Sequence, residues 1–592
     1  MDKPATPDPR TTNPKKPLIS RITVPRLVAA GAAMSLLAGL GAWSQSSSAA
    51  PAVATAEDAV THAENERVAK GARWTQHYFP SSDGSDVELH ADVLLPENLP
   101  KGEKVPVILS VGAYFGHSGQ LEDEKHPHTG PSNRFYDFIE GTDLFSRGYA
   151  FVMVDQRGFG GSTGCLDFQG PGEQADVKAA IDWAATQPWS TGAVGMYGKS
   201  YDAITGLIGN NLDQDALKAV VAQEPIWDLY RNIRSNGVPR STIGNVATSY
   251  NRIAALPQLP DDDERYRTNA AYEKTHPCVA VNSIQYLTAA YESEYWQARD
   301  LARQAKGSDT PLFITQGFTE WNTEPEAMEE YLTNHQGPQR GWLGPWDHKR
   351  GNERAADGRL EMGRDSWFAE TISFFDQHLL GVKPTVAYPA YAIQDNNGRW
   401  RAQDTWPVVD SSPTLALPDG RYLDDSAEGD PKVDTGNSFY RWSQPLRQAT
   451  RVTGTPRLSL TARGHGNLMV RLYDVAPDGT GIFFNEQVAL VNGGKLAFDL
   501  KSNDWTLAAG HRLAVQIGTI QAPGPFSDWA DAPSNRKITV EDLRLNLDLD
   551  DPRDDRPTAG DRAVYLDTYT ALSTTGKMPI GKPSFAVPAP RR

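Results

Sequence analysis

A chain of 592 residues is too long for one hydrophobic core, so two to four domains are expected. Its 39% hydrophobic content, 15 Trp and 21 Tyr exclude a disordered or fibrous protein. A net charge of −16 without a basic stripe excludes nucleic acid as a partner.

The first segment reads as a secretory leader. Lys15, Lys16, Arg21 and Arg26 precede an apolar run from Leu27 to Trp43, and small residues follow. Cleavage is expected after Ala54, within Ala52-Val53-Ala54; after Ala50 is the alternative, with Pro51 then following the cut. The apolar run, rich in Ala and Gly, is short for a membrane anchor, so residues 1–54 are expected to be removed, leaving a secreted chain without stable membrane insertion. That chain carries 52 basic against 72 acidic residues, a net of −20.

From residue 72 the pattern becomes strand-like, with a hairpin turn at Asp83-Gly84. Short apolar runs follow at 105–111, 149–155, 192–198, 217–223, 311–317 and 340–345, with a helical pattern in "GEQADVKAAIDWAATQPW" between the second and third. Strands apolar on both faces and alternating with helices predict a parallel sheet covered on both sides, an α/β domain over 72–225 and 306–399. Residues 226–305 hold amphipathic stretches and no clear sheet strand, which predicts a helical cap inserted over the C-terminal edge of the sheet. From 400 to 592 short period-two strands without helices predict a β-sandwich.

Two cysteines, Cys165 and Cys278, are too few for a zinc site and form no CxxC. In an exported chain they are expected to pair, tying cap to sheet across a loop worth about 4–5 kcal/mol; small apolar fillers are the other reading. His126 and His128 in "EDEKHPHTG" read as a mobile polar loop rather than a metal site. No metal or cofactor is expected. "RGFGGSTG" reads as a tight turn, since no Lys-Ser/Thr pair follows it as in a phosphate loop.

"VGMYGKSYDAITG" (194–206) places Ser200 where an apolar strand meets a helix, the setting of a nucleophile elbow. Such a turn needs small neighbours, and Gly198 supplies one at −2. A serine nucleophile needs a base, and the base needs an orienting carboxylate. "PLFITQGFTEWN" offers Glu320 and "RGWLGPWDHKRG" offers His348, each just past a strand, in the order serine, acid, histidine. Glu324, Glu326 and Asp347 compete for the acid; Asp347 is the poor orienter, because consecutive side chains diverge.

"GKSY" after "VGMY", with "DQRGFGGSTG", "GPGEQADVKAAIDWAATQPWSTGAVGMYGKSY" and "GPWDH", resembles the X-prolyl dipeptidyl-peptidase and cocaine-esterase family of serine hydrolases over nearly the whole exported chain. The resemblance implies an α/β-hydrolase domain, a helical cap and a C-terminal jelly roll of galactose-binding type. It also implies Ser200 as nucleophile, Glu320 as acid, His348 as base, and an oxyanion hole from the Tyr201 amide and the Tyr114 hydroxyl of "VILSVGAYFGH". Two donors aimed at the developing charge are worth roughly 3–4 kcal/mol each. The chain departs from the family pattern in having Glu for the usual Asp at 320, Ala203 for Gly at +3, and Asp202 for Leu at +2. Asp202 reads as the first turn of a helix, where acids are favoured, or as an anchor for a cationic substrate amine. Glu224 and Asp228 are further candidates for that anchor.

The expected activity is release of N-terminal Xaa-Pro dipeptides through an acyl-enzyme, with an ester or amide hydrolase as alternative. A reading from another class is a secreted carbohydrate- or wall-binding protein with a decayed hydrolase. Trp505 and Trp529 would then serve a sugar site, although such residues more often fill sandwich cores.

Overall fold

The computed structural model describes residues 60–61, 65–121, 124–276, 278–426, 436–521 and 527–590. The leader and its cleavage position lie outside them. Ten strands build the main sheet: β1 (Ala72–Pro80), β2 (Glu88–Pro96), β3 (Val105–Gly112), β4 (Ala150–Asp155), β5 (Ser190–Lys199), β6 (Leu217–Gln223), β7 (Leu312–Gly317), β8 (Gln339–Gly344), β9 (Tyr391–Gln394) and β10 (Trp400–Gln403). Their spatial order is β1-β2-β4-β3-β5-β6-β7-β8-β9-β10, with two-residue strands at each edge. β1 and β2 form the hairpin that turns at Asp83-Gly84, pairing Pro80 with Glu88. From β4 to β9 all neighbours run parallel.

The parallel strands are apolar throughout because both faces are covered. Val107, Leu109 and Val111 of β3 join one core with α2 (Pro171–Thr186) and α3 (Tyr201–Asn211), after the short α1 (Tyr136–Gly141). Ile108 of the same strand points into a second core with Phe138 of α1.

The stretch between β6 and β7 holds seven helices: α4 (Leu229–Ile233), α5 (Ile243–Ala254), α6 (Glu264–Asn269), α7 (Tyr272–Thr275), α8 (Cys278–Thr288), α9 (Glu294–Gln297) and α10 (Leu301–Gln304). The strands among its described residues are a two-residue pair, Arg234–Ser235 with Val238–Pro239. A disulfide joins Cys278, at the start of α8, to Cys165. Helices α11 (Met328–Asn334) and α12 (Trp367–Leu379) follow β7 and β8, and α12 adds Phe374 and Phe375 to the second core.

Past β10 the chain forms two six-stranded sheets around one core, in which Leu458, Leu460 and Val540 of one sheet meet Leu468, Val470, Leu513, Val515 and Ile517 of the other. Two features differ from the expectation of helix-free sandwich after residue 400. β10 and Arg556–Pro557 belong to the main sheet, pairing with each other at its edge. Helix α13 (Val564–Ser573) also interrupts the strands, burying Leu566, Tyr569 and Ser573 at spacings of three and four. Trp505 and Trp529 are 2% and 1% exposed and pack inside the protein, which removes them as a sugar platform.

Candidate active site

The C-terminal ends of β3, β5, β6, β7 and β8 lie along one edge of the sheet, where ligands of open α/β sheets bind. The sequence-derived residues all follow these ends.

Ser200 caps α3 with φ 65° and ψ −125°, a conformation costing a serine about 1–3 kcal/mol. Its amide donates to the Gln223 carbonyl at 2.9 Å, and its own carbonyl accepts from Ala203 and Ile204 at 2.9 and 3.0 Å. The tight turn depends on glycine. A Cβ at Gly198 would strike the Asp202 carbonyl, and one at Gly112 would strike the Asp202 carboxylate. Ser200 is half-buried, at the start of a helix whose first amides have no intrahelical acceptor.

Beyond β7, Glu320 is 3% exposed and its Oε1 lies 2.7 Å from Nδ1 of His348, which follows β8. Glu320 also accepts from the Thr323 amide at 2.8 Å, the Thr323 hydroxyl at 2.6 Å and the Gln316 amide group at 3.0 Å. Burial alone raises this carboxyl, but the His348 ring and the donors outweigh it and hold it down at about 2. Glu320 is therefore an anion that fixes the ring through Nδ1. Of the competing acids, Glu324 pairs with Arg240 and Lys501, while Glu326 accepts from Gln487.

Tyr114, on the loop after β3, shares a 2.7 Å hydrogen bond with the Tyr250 hydroxyl of α5. Arg134 lies over its ring, 4.1 Å from the centroid. The Tyr201 amide stands at the first position of α3, and its phenol donates to Glu173 at 2.8 Å. Burial, then the charge of Asp167, raise the Glu173 carboxyl to about 7. Lys199 stands just before Ser200, and burial together with Arg134 lowers its ammonium to about 8.

The three acids considered as amine anchors are each committed inside the protein. Asp202 lies in the first turn of α3 and pairs with Arg134. Asp228 caps α4, accepting from the amides of Tyr230 and Arg231, and pairs with the Arg231 side chain at 3.0 Å. Glu224 is fully buried and accepts from the Gly317 amide at 2.9 Å, the Trp346 indole at 2.9 Å, and Thr315 and Gln316 at 3.2 Å each. Burial and then the adjacent Glu320 charge push Glu224 well above the usual carboxylate range. His128 is exposed beside Asp261 at 3.4 Å.

Sequence reasoning missed Tyr250, Arg134 and the buttressing role of Glu224. Gln223 was also missed: it accepts the Ser200 amide through its backbone and the Gly351 amide through its side chain at 3.1 Å, joining the serine turn to the His348 loop. The strand end at "AVVAQE" was the one signal that pointed near Gln223 and Glu224.

Residues 83–350 match the family described as X-Pro dipeptidyl-peptidase (S15 family). A Bacillus cereus protein with the provisional name Xaa-Pro dipeptidyl-peptidase is 23% identical over 539 residues, covering 79% of this chain and 87% of its own. An aminopeptidase from a marine-sediment Thaumarchaeota archaeon superimposes with a TM-score of 0.60 at 17% identity, covering 81% of this chain and 97% of its own. An α-amino acid ester hydrolase gives a TM-score of 0.58 at 18% identity, covering 82% and 98%. At such identities the two solved structures speak for the fold, an α/β-hydrolase with a β-rich C-terminal region. The family match spans the strands that carry Tyr114, Ser200, Glu320 and His348, and the chain is a serine hydrolase that over residues 83–350 is similar to the X-Pro dipeptidyl-peptidase (S15 family).

Proposed function

We propose that this chain releases Xaa-Pro dipeptides from peptide N-termini, with Ser200 as nucleophile, His348 as base and Glu320 as its orienting acid. Ser200 Oγ attacks the prolyl carbonyl while His348 Nε2 takes its proton. Glu320 stabilises the imidazolium, and the Tyr114 hydroxyl with the Tyr201 amide receive the oxyanion. The imidazolium then protonates the leaving amine, and water activated by the same ring releases the dipeptide. The observation that carries this reading is the 2.7 Å pair between His348 Nδ1 and buried Glu320, on the same sheet edge as the strained Ser200 turn. The accompanying domains are a hydrolase core at 72–225 and 306–403, a cap at 226–305 and a sandwich after β10. Export follows from the leader pattern of residues 1–54 and suits the Cys165–Cys278 disulfide. Among the described residues no helix is long and apolar enough to cross a membrane.

One observation favours a second reading, hydrolysis of esters or amides that lack a free amine. Asp202, Glu224 and Asp228 are engaged internally, and Lys199 and Arg134 bring cations to the serine turn. A panel of free and N-blocked Xaa-Pro anilides and aryl esters separates the two. Turnover of free Xaa-Pro anilides, lost in Ser200→Ala together with fluorophosphonate labelling, is the expected result. Turnover of aryl esters alone ends the peptidase reading. Failure of native protein to label ends the acyl-enzyme mechanism altogether.

A further inference from the structure

A second convergence of chemistry-bearing side chains lies between the sheet and the helical insert. His90 and Asp92 are two apart on β2 and so share a face, while His117 lies on the loop after β3. All three are at most 1% exposed, and one donor atom from each lies within 4.8 Å of the others. Nε2 of His117 hydrogen-bonds Asp92 Oδ1 at 3.4 Å and lies as near Oδ2, and Nε2 of His90 is 3.8 Å from the same carboxylate.

Each imidazole is held from behind. His90 Nδ1 bonds Asp155 at 2.8 Å, and His117 Nδ1 bonds Asp262 at 2.7 Å. Those carboxylates are fixed in turn, Asp155 by the Gly161 amide at 2.9 Å and Asp262 by the Thr129 hydroxyl at 2.6 Å and the Leu259 amide at 2.7 Å. Both rings therefore turn Nε2 toward a common space. Asp92 Oδ1 accepts the Trp74 indole at 2.7 Å, whereas its Oδ2 is buried and accepts no hydrogen bond. Gln76 Oε1 sits 3.1 Å from His90 Nε2.

Metal-ligating histidines characteristically donate their second ring N–H to a carboxylate, which sets the tautomer and the ring direction. Bonds of about 2.0–2.1 Å in a tetrahedral zinc site put neighbouring ligand atoms roughly 3.3–3.4 Å apart, close to the separations here. Charge agrees. Among the described residues three carboxylates, Asp92, Asp155 and Asp262, surround the rings, and Arg67 is a cation in their neighbourhood. A divalent ion balances that excess with both imidazoles neutral.

We propose that His90, Asp92 and His117 bind one structural divalent transition-metal ion, Zn2+ by donor type, with Gln76 Oε1 completing the set. The ion joins β2 to the loop that carries Tyr114 and, through Asp262, to the insert, where Tyr266 stacks on His117 at 4.0 Å. Since the donors are buried, the ion enters before the insert closes over them.

The test uses full-length protein with its disulfide intact, unfolded in guanidinium with chelator, desalted, and refolded with Zn2+, with Co2+ or with neither. The expected result is one retained equivalent of Zn2+ per chain, a higher melting temperature than the metal-free sample, and visible d–d absorption of four-coordinate Co2+. Asp92→Asn and His90→Asn lose the ion, whereas His511→Asn, at a distant half-buried histidine, keeps it. The proposal is overturned if protein refolded with Zn2+ retains none and melts as the metal-free sample does, protons on the rings then holding the network. Retention of the ion by His90→Asn overturns it as well. Should either ligand variant fail to fold, the metal content and Co2+ spectrum of the unmodified chain decide.

Discussion

The Tyr114 hydroxyl is already oriented by Tyr250, and its ring is covered by Arg134. A donor preset in this way costs no reorganisation when negative charge forms on the substrate oxygen. Tyr114→Phe is therefore expected to lower kcat by about 10²–10³-fold with little change in KM, measured on the best substrate of the anilide and ester panel. Glu173 gives a second prediction at this scale. Its folded pKa of about 7 stands above the usual value of 4.5, so between these values the folded state holds a proton that the unfolded chain has released. Stability then falls as pH rises from 4.5 to 7, by about 3 kcal/mol at most. Denaturant melts across that window should show the slope, and Glu173→Gln should flatten it whatever constant cost the variant carries.

The elements explain which parts of the site could be read in advance. Ser200, Glu320 and His348 each follow an apolar strand, and a run such as "LKAVVAQ" can only be a buried strand end in an α/β chain, so their shared edge was legible. Tyr250, Arg134 and the Glu224 buttress were not. Their roles depend on which loop meets which helix across tens of residues, and neither periodicity nor a motif encodes that meeting. Helix α13 was hidden because a strand reading of "RAVYLDTYTALS" competes with a helical one until Tyr569 finds the sandwich core and Leu566 the second core of the main sheet. The disulfide was legible from count and compartment. It joins the loop after β4 to the start of α8 across 113 residues and restrains an insert made of short helices. Replacing both cysteines by serine is expected to lower stability by about 2–5 kcal/mol, read by denaturant titration beside the native protein. An unchanged midpoint would show that the bond adds nothing to folding.

At the scale of the whole molecule, the described residues fall in one compact unit, and the reason is visible at the sandwich contact. Lys501 reaches Glu324 at 2.7 Å, Gln487 reaches Glu326 at 2.9 Å, and Arg401 on the main sheet pairs with Asp504 at 2.6 Å. Arg240 of the insert pairs with Glu324 at 2.6 Å and lies over Trp529, so three regions meet at one buried acid. Glu326, itself buried, is raised to about 8 by burial and then by the charge of Glu324.

Glu324 and Glu326 belong to the same short loop as Glu320, and this gives the C-terminal third a duty unrelated to recognising any ligand. It works as a buttress, supplying the ammonium and amide that let two sunken acids stand beside the one that steers His348. A chain cut after β10 would leave Glu324 with Arg240 but without Lys501, and Glu326 without the Gln487 amide, and removing one partner of a buried ion pair typically costs several kcal/mol. Such a fragment, compared with the intact chain by fluorophosphonate labelling, should be almost silent even though every proposed reacting atom remains in it.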